Sequence, residues 1–106
     1  MKKKNKFSLL FIMTTILQLL RKIKKEIING EARDLTAVES AMIHIKTGFS
    51  NKANPTTSIL FSSIAIRDLG VIASSKKIHL SMQERNMIKN EIIKLSNNII
   101  VKTQEL

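Results

Sequence analysis

MKKKNKFSLLFIMTTILQLLRKIKK, residues 1–25, places four lysines, a mostly apolar run and four more basic residues at the start of the chain. Three structures fit such a pattern, and each implies a different fold. A secretion signal has a basic start and a short apolar stretch, then small residues at a cleavage site. Here Leu19-Leu20 runs straight into Arg21-Lys22-Ile23-Lys24-Lys25, with no such site. A transmembrane helix needs about 20 apolar residues. Phe7 to Leu20 supplies 14 positions, interrupted by Ser8, Thr14, Thr15 and Gln18. The third structure is an amphipathic helix. Leu9, Met13, Ile16, Leu20, Ile23 and Ile27 recur at 4-3-4-3-4 spacing, the seam of a helix packed in a bundle. Gln18, Lys22, Lys25 and Asn29 fall on the other side. The period crosses the second basic cluster unbroken, which neither a signal nor a span requires. The packed helix is the reading adopted, with Asn29-Gly30 as its stop. Residues 1–6 are expected to be disordered, and Met13 is an alternative start that would make residues 1–12 an extension.

The remaining sequence yields three more helices. Thr36-x-x-Glu39 is a candidate capping box in a stretch that carries Leu35, Val38, Met42 and Ile45 at 3-4-3 spacing and is closed by Gly48. Asn54-Pro55 pairs an N-cap with a proline at the first helical position. The helix it opens carries Ile59, Leu60, Phe61, Ile64, Ile66, Leu69, Val71 and Ile72, apolar on more than one face. Such a helix is expected to be central and buried, and its β-branched residues also permit a strand. Ser74-Ser75-Lys76-Lys77 ends it. Ser81-x-x-Glu84 is a second capping box, and Ile88, Ile92, Leu95 and Ile99 follow at 4-3-4 spacing. Four helices joined by short loops predict one all-α domain over residues 1–106, an antiparallel four-helix bundle.

The totals agree with that fold. Apolar residues make up 43% of the chain, enough for one core, while three Gly and one Pro give few turn signals. There is no cysteine, so disulfide and thiolate chemistry are excluded. The net charge of +10 is unevenly placed. Residues 1–25 carry eight basic side chains and no acid, whereas residues 26–106 carry ten basic and eight acidic ones. Charge gathered around one amphipathic helix suggests an anionic membrane surface at least as readily as nucleic acid, with Lys22 and Lys25 as the surface-facing residues.

Catalytic patterns are nearly absent. His44 and His79 have no partner at ligand spacing, and the eight acids form no cluster that would hold a metal or act as an acid–base pair. There is no phosphate-binding glycine loop, and Ser62-Ser63 and Ser74-Ser75 lack nucleophile-elbow glycines. Neither cofactor, metal nor enzymatic activity is expected. The methionines at 42, 82 and 87 read as core filler. Lys76, Lys77, His79, Arg85, Lys89 and Lys102 remain as candidates for a partner-binding surface around and beyond the last turn. By elimination the chain reads as a binding protein. The alternative is a small basic nucleic-acid-binding regulator of phage or plasmid origin.

The order of elements resembles the immunity proteins of pediocin-like (class IIa) bacteriocins. The likeness runs from ILQLLRKIKKEII to IIKLSNNII, most of the chain. A leucine-rich first helix ends at an Asn/Gly break, and a short second helix leads through a Lys-bearing loop to Pro55. An apolar helix then ends near Ser74-Ser75-Lys76-Lys77, and LSMQERNMIKNEIIKLSNNI completes the pattern. The apolar stretch 7–12 is longer than a typical family start, and the chain stops soon after the fourth helix. The resemblance implies a cytosolic four-helix bundle acting at the inner face of the membrane. Its partner would be the bacteriocin-engaged membrane permease of the mannose phosphotransferase system, and its effect would be to block the resulting pore. It also ties specificity to the C-terminal half, here the turn at 75–80 and the exposed face of 82–102.

Overall fold

A computed structural model describes residues 16–27, 32–50 and 52–106. They include four helices: α1 (16–26), α2 (Ala32–Gly48), α3 (Pro55–Ser74) and α4 (Met82–Gln104). The fold is all-α, an antiparallel four-helix bundle. The antiparallel direction of neighbouring helices follows from cross-helix contacts. Asp34 at the start of α2 meets Ser75 at the end of α3, and Gly48 at the end of α2 lies against Ser62 in the first half of α3. Arg85 at the start of α4 meets the Ala73 carbonyl, and Asn98 meets Ser62. Ion pairs from Lys22 to Glu84 and from Lys24 to Glu39 tie α1 to α4 and α2.

The apolar seam of α1 is as the spacing predicts over the described residues: Ile16, Leu20, Ile23 and Ile27 are buried, joined by Leu19. Leu9, Met13, the Asn29-Gly30 stop, the disorder expected of residues 1–6 and the extension 1–12 lie outside the described residues. The core closes with Val38, Ala41 and Ile45 from α2, Leu69 and Ile72 from α3, and Ile88 and Leu95 from α4. Each fully buried Leu or Ile contributes roughly 1.5–3 kcal/mol of transfer free energy.

Helix boundaries follow local chemistry at two of the three predicted starts. Asn54 Oδ1 accepts from the Thr57 amide at 2.8 Å, and Pro55 begins α3. Ser81 and Glu84 form a reciprocal capping box: the Glu84 amide donates to Ser81 Oγ at 3.1 Å and the Ser81 amide to Glu84 Oε1 at 2.9 Å. The third start is corrected. α2 begins at Ala32, so Thr36 and Glu39 sit inside the helix, where their amides already bond along the backbone and no box is needed. Glu39 serves instead as the partner of Lys24, at 3.5 Å.

α3 is a helix throughout, which removes the strand alternative, but its interior differs from the expectation. The buried stripe is Ser58, Ser62, Ala65, Asp68, Leu69 and Ile72, while Leu60 is 55% exposed. Small residues face inward because α2 and α3 cross closely. A Cβ built on Gly48 would lie 2.8 Å from Ser62 Oγ and 3.3 Å from the Ser62 amide, so only glycine fits there without a shift. Among the described residues α3 alone is long and apolar enough to cross a membrane by length and composition. Met42 and Met87 pack against the core as expected, whereas Met82 is 75% exposed. Its place as the first residue of α4 puts it beyond the reach of the bundle interior.

Candidate functional site

The α3–α4 corner is held by three local devices. Ser75 caps α3 with its amide on the Ile72 carbonyl, and its hydroxyl donates to Asp34 Oδ2 at 2.8 Å. The same hydroxyl accepts from the Lys77 amide at 3.3 Å. Asp34 is only 4% exposed, so this bond satisfies a carboxylate that burial would otherwise penalise. Across the turn, Arg85 donates from one guanidinium nitrogen to the Ala73 carbonyl at 3.3 Å. Ile78 is buried beneath the turn. The corner is therefore shaped by side chains from α2, α3 and α4 together.

On this frame Lys76, Lys77 and His79 are exposed. Lys76 and Lys77 join Arg33, Asp34, Ser74 and Ser75 around a shallow cleft of about 350 Å³. Arg33 lies 43 positions earlier than Lys76 in the chain, and only the antiparallel pairing of α2 with α3 brings them together. Lys89 is exposed one turn beyond Arg85. Lys102 does not belong with them. At 1.5 Å per residue it sits about 26 Å along α4 from Arg85, and it pairs with Glu105 at 3.3 Å. Of the two residues assigned to a membrane surface, Lys25 is exposed, and Lys22 is engaged with Glu84 at 3.0 Å. His44 is half-buried, its Nδ1 2.7 Å from the Ser40 carbonyl and its ring edge-on to Phe61.

The solvent face of α4 is more apolar than the sequence pattern suggests. Met82, Ile93 and Ile100 are 75%, 48% and 58% exposed. With Lys89 they recur at 7-4-7 spacing, which places the four on one line along the helix, within about 20° at 100° per residue. Val101 is exposed beside them. This line lies opposite the buried side of α4 and was not legible in the heptad reading, which follows only the inward seam.

No group of three or more His, Asp or Glu side chains able to hold a metal ion occurs among the described residues. Comparison with protein-family profiles, with curated proteins and with solved structures finds no match to this chain. The arrangement offers charge, hydrogen-bond donors and exposed apolar surface.

Proposed function

We propose that the chain is a bacteriocin immunity protein that protects its cell from the cytosolic side by binding the bacteriocin-engaged sugar permease. The observation that carries this reading is the exposed line along the outer face of α4, which begins at the α3–α4 corner. Exposed Met82, Lys89, Ile93 and Ile100 follow one another along it, and Lys76, Lys77 and His79 are exposed at the corner where it begins. Large apolar side chains gathered on an otherwise polar helix face favour a protein partner, because their exposure to water is unfavourable until they are covered. The basic residues then steer docking and set register more than they add affinity. Four helices in one bundle are also what the resemblance of the sequence to that family implies.

Expression of the full chain in a strain sensitive to pediocin-like peptides tests it. Survival against at least one peptide of a panel is expected, and lost when Ile93 and Ile100 are both changed to Ser. Unchanged killing across the panel contradicts the proposal. The basic cleft of Arg33, Lys76 and Lys77 favours the nucleic-acid reading as a second candidate. That reading requires a mobility shift of DNA or RNA that weakens steeply with salt.

A further inference from the structure

Glu91 is the odd residue of the α4 seam. It lies between Ile88 and Leu95 at 3-4 spacing and is only 7% exposed. Burial pushes its carboxyl above the usual glutamate value, with Lys94 pulling the other way. Among the described residues it makes no hydrogen bond and no ion pair, in contrast with Asp34, whose buried carboxylate is met by Ser75. Glu91 opens onto a cleft of about 370 Å³ where α1, α2 and α4 converge. The walls are Ile16 and Leu17 from α1 with Ile45 from α2 and Phe49 just after it. Lys46 and Lys94 also line it, and both are exposed to solvent. The volume falls at the lower end of the roughly 300–1,000 Å³ typical of small-ligand sites.

An apolar cleft with one buried, unpartnered carboxyl has a defined complement. We propose that this cleft binds a small cationic amphiphile, its ammonium group on the Glu91 carboxylate and its aliphatic body against Ile16, Leu17, Ile45 and Phe49. The two lysines would attract an anionic amphiphile, so the sign of the ligand must be argued. Their ammonium groups are in water, where solvent and salt screen them. Glu91 is nearly buried, where an opposite charge interacts more strongly, and no hydrogen bond or ion pair from the described residues meets its carboxylate. The enclosed acid therefore dominates selection. The site is on a different face from the α3–α4 corner, and the proposal stands apart from the immunity reading.

The test is titration of the full chain at neutral pH with n-octylammonium, octanoate and n-octanol, followed by methyl and aromatic chemical shifts. Saturable shifts at Ile16, Leu17, Ile45 and Phe49 are expected with octylammonium. Glu91→Gln is expected to weaken this binding by roughly tenfold or more, the loss that follows removal of a charge-assisted bond, while leaving octanol binding unchanged. Phe49→Ala, at a partly exposed position, should weaken octylammonium and octanol alike. Octanoate binding as tightly as the amine, equal amine binding by Glu91→Gln, or no saturable shift with octylammonium would each overturn the proposal.

Discussion

Two glutamates on α4, seven residues apart, have opposite fates. Glu84 closes the helix start: it accepts from the Ser81 amide and from Lys22 Nζ, and these bonds hold its carboxyl below the usual value. Glu91, two turns further along on the same side, is buried without a partner, and its carboxyl is pushed up. At the start of the helix the Glu84 carboxylate is met by two donors, whereas in its middle the Glu91 carboxylate makes no hydrogen bond to the described residues and lines a cleft. A helix can thus be strongly specified at its start and still carry an unfavourable residue at its seam, because capping and burial act on separate groups.

The largest expected effect comes from the apolar neighbours of Glu91. Leu95 is fully buried, so Leu95→Ala should destabilise the protein by about 2–5 kcal/mol in urea unfolding. Glu91→Gln should act in the other direction. An acid whose folded pKa is raised binds more protons when folded, so its cost is absent below the unfolded value. That cost grows as pH rises through the window up to the folded value. The substitution should therefore raise the urea midpoint at neutral pH, with the gain disappearing under acid conditions below the ordinary glutamate value. Glu84 has the opposite slope: its contribution is present above the unfolded pKa and is lost as pH falls through the folded one. The smallest effect is at the cap, where Ser81→Ala should cost roughly 0.5–2 kcal/mol. Because Ser81 and Glu91 share no partner, the double variant should equal the sum of the single changes to within about 0.5 kcal/mol.

Much of the bundle was legible in short-range chemistry. The Asn54-Pro55 and Ser81-x-x-Glu84 starts and the Ile16, Leu20, Ile23, Ile27 seam depend on residues within a turn or two of one another. What escaped depends on partners far away in the chain. Thr36-x-x-Glu39 has the letters of a capping box, but its amides are already committed inside α2. Ser58 and Ser62 face inward because Gly48 brings α2 close to α3, a fact no count of apolar residues contains. Glu91 does not show in the 4-3-4 pattern, which counts only apolar side chains. At the candidate site, the basic turn was visible as Lys76, Lys77 and His79. Lys89 was visible as well, but Arg33 and the exposure of Met82, Ile93 and Ile100 in line with Lys89 became evident only once the helices were packed and their outer faces known.

The contrast within α4 is tested most directly by following the side-chain carboxyl carbons of Glu84 and Glu91 through a pH titration by NMR. Glu91 is expected to titrate above the ordinary glutamate value and Glu84 below it. Titration of both at the ordinary value, or in the reverse order, would contradict the assignment of Glu91 as a buried, unpartnered acid facing a site.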